Sequence, residues 1–436
     1  MTFTTIIKGW GNYPQQEAQL LTPTSSASLS TFIKQEKTLI ARGMGRSYGD
    51  SANGPRVIQT SYYDHFVALD EKTGKITAEA GITLREILKI IVSSGWFLPV
   101  TPGTSYATLG GAIASDVHGK NHHIFGTFGQ QVRSISIMLG TGEVVTASEA
   151  QNTDLFRATC GGMGLTGVIL RATIQLFPIK SSLMNQKIIK ADCIEAACKA
   201  FEENSSATYS VAWIDCLTNG KKLGRSVLML GEHAENGDLE IDIKDPISVP
   251  FSTPPALLNS LIMKTFNRAY WHKAKHNQTE IVPLIPYFYP LDILGNWNKL
   301  YGKAGFLQFQ CVIPKEDGIV NMRKLLTEIT KSGEGSFLAV LKQFGKANDY
   351  FLSFPIEGYT LALDFKLTKT AISTLHKLEE LVLGMDGKIY LTKDAVMQEK
   401  TFKATYPKWE EFEAVREKYG AIGKFSSMQS KRLGLA

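Results

Sequence analysis

Apolar and polar positions change period repeatedly between residues 35 and 180. Segments 37–41 (KTLIA) and 75–80 (KITAEA) have the texture of short strands, and 168–177 is a strongly β-branched run of the same kind. Between them Thr83-Leu84-Arg85-Glu86 reads as a capping box, with Thr83 and Glu86 serving the first free amides of a helix. Leu84, Ile87, Leu88, Ile91 and Val92 then follow at helical spacing, and Gly95 is the expected stop. Segments 134–139 (SISIML) and 143–147 (EVVTA) flank Gly140-Thr141-Gly142 and predict a hairpin. From about residue 180 the glycine-rich turns thin out. Strand patterns at 209–215, 226–230, 306–313, 336–343, 350–354 and 359–365 alternate with helical ones. One helix carries Ile319, Met322, Leu326 and Ile329 on a face, and another Ile372, Leu375, Leu378 and Val382. This predicts an α+β fold with a mainly antiparallel sheet in the second part.

Composition narrows the class. A chain of 436 residues exceeds the roughly 250–300 at which one core stops growing, so at least two domains are expected. Hydrophobic residues at 44% and charged residues at 20% are ordinary for a globular protein. The net charge of +6 suits an anionic ligand or a membrane surface, and the absence of long basic runs argues against nucleic acid. Cys160, Cys193, Cys198, Cys216 and Cys311 include no CxxC pair, which argues against a disulfide framework or a zinc site. The opening residues lack an apolar core of signal-peptide length, and no stretch reaches a membrane span. The expectation is a cytoplasmic protein, with peripheral membrane contact left open.

Much of the glycine falls in clusters. Gly43-Met44-Gly45-Arg46-Ser47-Tyr48-Gly49 follows a strand pattern, and such a turn brings backbone amides close to a phosphate. Its GxGxxxG spacing with no helical period behind it is not a dinucleotide fingerprint of the Rossmann type. Alone it fits a plain tight turn equally well. Four more close-approach loops follow, at 102–104, 109–111, 118–120 and 161–167. Convergence on one long anionic molecule explains the set more simply than five separate turns.

The strings ARGMGRSYGD (41–50), TPGTSYATLGGAIASDVHGKNHH (101–123) and ATCGGMGLTGVILRATI (158–174) resemble the FAD-binding domain of the vanillyl-alcohol-oxidase superfamily. Within it they resemble the decaprenylphosphoryl-β-D-ribose 2-oxidase family, and FLQFQCVIP (306–314), VLKQFG (340–345) and YLTKD (390–394) continue the likeness in order. The resemblance implies a two-subdomain FAD-binding domain at 1–180, a substrate or cap domain at 181–390, and a C-terminal segment, 391–436, returning to the first domain. It assigns cofactor contacts to Arg42, Gly43, Met44, Gly45, Arg46, Ser47, Tyr48, Gly49, Asp50 and Ser51. Further contacts fall to Gly103, Thr108, Leu109, Gly110, Gly111, Ser115, Asp116, Val117, His118, Ile169 and Tyr390. Tethered relatives place a histidine where Arg46 stands, so the FAD is expected to be non-covalent. Lys393 and His118 are the expected catalytic pair. Tyr48, Lys120, Tyr289, Gln310, Lys342 and Lys393 are expected on the substrate face, with Tyr287 an alternative to Tyr289. His122 and His123 are adjacent and lack a carboxylate at ligand spacing, so no metal is expected.

The implied reaction is oxidation of the 2-hydroxyl of a polyprenylphosphoryl-β-D-ribose, a lipid-linked sugar phosphate, to the 2-keto sugar. A separate NAD(P)H-dependent keto-reductase would complete an epimerisation to the arabinose form. Oxidation of a small sugar, sugar alcohol or aldonolactone on the same fold, or flavin binding without turnover, are the competing readings. Segment 251–277 mixes apolar residues with Lys264, Arg268, Lys273 and Lys275; it reads as a membrane-facing amphipathic helix or as a surface helix packed on its own core.

Overall fold

The computed structural model describes residues 2–253, 260–334 and 338–435. Three main sheets organise them. The first runs Thr2–Lys8, Gln15–Leu21, Arg56–Gln59, Ile40–Arg42, antiparallel at the first pair and parallel after it. The second is antiparallel, in the order Phe66–Asp70, Lys75–Glu79, Val168–Gln175, Val132–Met138, Val144–Ala147. The third has eight antiparallel strands: Gln278–Pro283, Leu183–Ala191, Ser226–His233, Tyr209–Ile214, Ala339–Phe344, Gly358–Lys366, Phe306–Pro314 and Lys388–Ile389.

Strand alternation decides what each face of the third sheet does. Leu307, Phe309, Cys311, Ile313, Leu341, Leu361, Leu363 and Phe365 pack with Met322, Leu326 and Ile329 of helix Gly318–Ser332 and with Leu375, Leu378 and Val382 of helix Lys369–Leu383. Each such side chain contributes about 1.5–3 kcal/mol on burial. The alternate positions Gln308, Gln310, Val340, Lys342, Ala362 and Asp364 turn the other way, into a cavity. After Lys388–Ile389 the chain crosses to the first sheet. There the Thr392 carbonyl accepts from Tyr48 N (3.0 Å), the Lys424 carbonyl from Leu39 N (2.9 Å), and Met428 N donates to the Asn53 carbonyl (2.7 Å).

Several local expectations need correction. Thr83 caps the helix Leu84–Ile91 by accepting from Glu86 N, but the Glu86 side chain turns to Lys89 (2.8 Å), so the box is half formed. The helix ends at Ile91, and Gly95, at φ +81°, closes the turn beyond it. Segment 350–354 is not a strand: Tyr350 and Phe354 are buried by ring packing, Phe354 stacking on Tyr390 at 4.7 Å, and the backbone is turn and irregular. Positions 336 and 337 lie outside the described residues. The hairpin Thr2–Lys8/Gln15–Leu21 and the helix Ser26–Gln35 had no reading in the sequence.

In segment 251–277, Pro254, Pro255 and Leu258 lie outside the described residues, and Ser260–Lys273 is a helix. Its Asn267 is buried and donates to Asp215 Oδ1 (2.8 Å), and Trp271 packs with Trp213 and Val227. This helix is therefore docked on the protein along one side. No described helix is long and apolar enough to cross a membrane.

Candidate cofactor and substrate site

The cavity has a volume of about 460 Å³ and lies between the glycine loops and the polar face of the third sheet. Its first wall begins where strand Ile40–Arg42 ends. The Ser47 and Tyr48 carbonyls accept from the Trp10 and Gly11 amides (2.8 and 3.0 Å), which pins the far end of the loop. The Arg42 guanidinium holds the near end, donating to the Lys8 carbonyl (2.7 Å), Asn53 Oδ1 (2.9 Å) and the Ala52 carbonyl (3.3 Å). Gly45 takes φ +60°, and a Cβ there would lie 2.2 Å from Arg42 Nη2. The amides of Met44, Gly45, Arg46 and Ser47 have no partner among the described residues. A run of unpaired amides at a cavity wall is a site for anionic oxygens.

The second wall is the turn into helix Leu109–Ala114, where Thr108 caps Gly111 N at 3.1 Å. Gly110 donates to the Ala80 carbonyl (2.7 Å), and a Cβ on Gly43 would come within 2.4 Å of Thr108 Oγ1, so glycine is what lets the two loops approach. A Cβ on Gly103 would meet nothing within 4 Å; it would project into the cavity. Ser115, Val117, Ile169 and Tyr390 complete this region, with Tyr390 Oη donating to the Ser115 carbonyl at 2.9 Å.

The third wall carries the titratable groups. The Lys393 ammonium sits over the Tyr48 ring, 3.8 Å from its centroid. Burial lowers its pKa to about 7, with Lys342 pushing the same way and Asp364 opposing. Lys342 is lowered by burial to about 8. Asp364 is raised to about 6 by burial, although Gln308 Nε2 (2.5 Å) and Tyr301 Oη (3.0 Å) both donate to it. Burial, reinforced by Lys342, His122 and Lys393, holds His118 well below its ordinary pKa, so its ring is neutral. Gln310 Nε2 lies 2.9 Å from His118 Nε2, and Nδ1 has no hydrogen-bond partner among the described residues. The Arg46 guanidinium is sandwiched between Trp10 (4.2 Å) and Tyr106 (4.8 Å), with its buried Nε unpaired among the described residues.

Of the residues expected here, Arg42, Gly43, Met44, Gly45, Arg46, Ser47, Tyr48, Ser51, Gly103, Thr108, Gly110, Gly111, Ser115, Val117, His118, Ile169, Gln310, Lys342, Tyr390 and Lys393 line this one cavity. Six do not. Gly49 packs on the chain at Asp394, where a Cβ would be 1.9 Å from the carbonyl oxygen. Asp50 is turned to Arg432 (2.7 Å), and Leu109 is core. Asp116 accepts from Ser353 Oγ (2.6 Å), Asn348 Nδ2 (2.8 Å) and Gly129 N (2.9 Å) behind the wall. Lys120 donates to the Tyr287 carbonyl and sits 4.2 Å from that ring. Tyr289 is fully buried with its hydroxyl 2.6 Å from Thr101 Oγ1, and Tyr287 is likewise outside the lining. Their apolar rings carry them into the core, so neither tyrosine of YFYP lines the cavity. Trp10, Tyr106, Asp292, Gln308 and Asp364 line the cavity without having been singled out. Gln308 and Asp364 did carry a signal: each interrupts an apolar strand at the same parity as Gln310 and Ala362, opposite one another in register.

The donor set fits a dinucleotide flavin: unpaired amides for the pyrophosphate, an open wall at Gly103, and buried unpaired nitrogens on His118 and Arg46. Comparison with known proteins agrees. Residues 18–148 match the family model described as FAD binding domain. The chain is 34% identical to decaprenylphosphoryl-beta-D-ribose oxidase of Mycolicibacterium smegmatis, over 100% of this chain and 98% of that protein. It is 21% identical to L-gulono-1,4-lactone dehydrogenase of Mycobacterium tuberculosis over 97% and 98% of the two chains. With D-arabinono-1,4-lactone oxidase of Kluyveromyces lactis it shares 24% identity over 42% of this chain and 37% of that one. A relative matched from end to end at this identity, with an FAD-binding domain over residues 18–148 and a cavity with the donors a flavin needs, means that the chain belongs to the decaprenylphosphoryl-β-D-ribose oxidase family of FAD-dependent oxidoreductases.

Proposed function

We propose that the protein oxidises the 2-hydroxyl of a polyprenylphosphoryl-β-D-ribose to the 2-keto sugar. The carrying observation is Lys393, whose ammonium lies over the Tyr48 ring and lines the same cavity as the glycine loops. The first two sheets are the two subdomains enclosing the cofactor, residues 181–390 the substrate domain, and 391–436 the returning segment. Bound FAD supplies the hydride acceptor for the carbinol carbon. The chain supplies the rest. Lys393, with a pKa near 7, is partly in its amine form at neutral pH and takes the hydroxyl proton. His118 stays neutral; when Nε2 accepts from Gln310, Nδ1 carries the ring proton and offers it to the oxygen that becomes the carbonyl. Lys342 presents its charge to the substrate phosphate. Arg46 cannot form the bond that a histidine makes to a flavin, so the cofactor is held without a covalent link.

A 2-keto sugar on a lipid phosphate calls for a separate NAD(P)H-dependent reductase as its consumer. Ile247, Phe251 and Ile293 are exposed beside the cavity-lining Ser248 and Leu294, and this rim is our candidate for peripheral contact with the membrane that holds the lipid tail. Anaerobic bleaching of the flavin separates the readings. Polyprenylphosphoryl ribose should bleach it within a turnover, whereas aldonolactones and free sugars should not. Bleaching by a lactone alone would overturn the substrate assignment, and bleaching by none of them the oxidase reading.

A further inference from the structure

Resting on that reading, we propose that Asp364 is the positioning residue that makes Lys393 a sufficient base: the carboxylate is built into the cavity wall to stabilise the ammonium that forms when Lys393 takes up the hydroxyl proton.

The argument starts from the distribution of charge. Two carboxylates line the cavity among the described residues, Asp292 and Asp364, against Arg42, Arg46, Lys342 and Lys393. Asp292 is committed elsewhere: Ser105 donates to its Oδ2 from both N (2.6 Å) and Oγ (2.7 Å), and its charge acts on Arg46. Arg42 spends its guanidinium on the carbonyls of Lys8 and Ala52 and the Asn53 side chain. Asp364 is therefore the carboxylate that answers Lys393.

It is also held as a carboxylate should be for that task. Gln308 Nε2 donates to Oδ1 and Tyr301 Oη to Oδ2, so both oxygens are engaged and the group cannot rotate away. Gln308 lies directly across the strand pair from Asp364. Asp364 and Lys393 line the same cavity and form no ion pair among the described residues, so the carboxylate acts on the ammonium through space rather than by a contact that would immobilise it. The other groups facing Lys393 are Lys342, which opposes protonation, and the Tyr48 ring. Those facing Asp364 are Gln308, Tyr301 and Lys393, with the Tyr48 hydroxyl close enough to be raised by its charge. His118 is neutral and adds no charge.

The step balances without further reactants. The C–H bond of the carbinol breaks with its electron pair going to the flavin, the O–H bond breaks with its proton going to Lys393 Nζ, and the C–O bond becomes double. Asp364 exchanges no proton in the step; it faces a neutral amine before it and an ammonium after it. Opposite charge favours the charged form, so removing Asp364 makes Lys393 a weaker base.

The test is Asp364→Asn in the holoenzyme, which keeps the side-chain shape. The rate of anaerobic flavin reduction should rise with pH through the Lys393 inflection in the parent. In Asp364→Asn that inflection should move acidward by about one unit, the lower end for loss of a nearby opposite charge. The plateau rate should fall roughly 3- to 10-fold, since proton transfer follows basicity. A separate readout needs no substrate: acetic anhydride labelling of Lys393 against pH, measured by peptide mass spectrometry, should show the same acidward move. Asp364→Glu should restore part of both. If labelling and rate inflections stay at the parent pH in Asp364→Asn, the proposal is overturned whatever the plateau does. If labelling moves but no ribosyl substrate bleaches the flavin, the pairing stands and the substrate reading fails.

Discussion

Gly103 offers a substitution whose effect falls on the ligand and not on the protein. A side chain there points into the cavity with no protein atom within 4 Å of its Cβ, and the backbone is not in the left-handed region. Gly103→Val should therefore leave folding intact. A gain of about 0.4–1 kcal/mol is typical of losing a glycine where the conformation allows it. The branched side chain instead overpacks the bound cofactor, at about 1–3 kcal/mol, or roughly 5- to 150-fold in Kd for FAD. Gly45→Ala is the contrast. It forces φ +60° on a residue with a Cβ, about 1–2 kcal/mol, and drives that Cβ to 2.2 Å from Arg42 Nη2. Displacing the Arg42 fork costs at least one hydrogen bond to a charged group, a further 1.5–3 kcal/mol or so. The assay is FAD content after gel filtration, FAD titration by flavin fluorescence, and thermal melting in excess FAD. Gly103→Val should emerge depleted of flavin yet melt within about 2 °C of the parent once FAD is restored. Gly45→Ala should melt roughly 5–20 °C early even then, at about 2–4 °C per kcal/mol. Gly103→Val that retains stoichiometric FAD at the parent Kd would show that residues 102–104 do not touch the cofactor.

Three further outcomes are expected. Acid precipitation should leave the yellow colour in the supernatant, because Arg46 stands where tethered relatives have histidine; colour in the pellet refutes non-covalent binding. Lys393→Ala should retain FAD but slow anaerobic bleaching by about 10²-fold or more, and Lys393→Arg should recover little because a planar fork does not replace a compact ammonium over the Tyr48 ring; bleaching at the parent rate would remove Lys393 from the chemistry. Replacing the exposed pair Phe251 and Ile293 by aspartate should impair turnover of vesicle-borne substrate more than that of a short-chain analogue, and equal loss on both would count against the membrane-facing rim.

Strong local periods were legible in the residues alone. Helices Gly318–Ser332 and Lys369–Leu383 and the strands Tyr209–Ile214, Ser226–His233, Phe306–Pro314, Ala339–Phe344 and Gly358–Lys366 lie within a few residues of where alternation and helical spacing predict them, because each buries an apolar face whose spacing is dictated by its own geometry, whereas Leu183–Ala191, Gln278–Pro283 and Lys388–Ile389 of the same sheet had no reading. The glycine loops were legible as loops because positions such as Gly45 and the Gly43–Thr108 approach exclude a side chain. What the residues could not determine was direction. YFYP carries two tyrosines with the same local claim on a ligand, and only packing sends Tyr289 to Thr101 and Tyr287 against Lys120. Asp50 and Asp116 sit inside the cofactor motifs yet turn outward, to Arg432 and to Ser353, partners more than two hundred residues away. Asp364 and Gln308 are two polar residues in apolar strands until antiparallel register sets them face to face. Sequence thus determined which segments carry chemistry, since conformational limits and periodicity act over a few residues. Tertiary structure decided which side chains share a cavity, since burial and charge depend on groups that only the completed fold brings together.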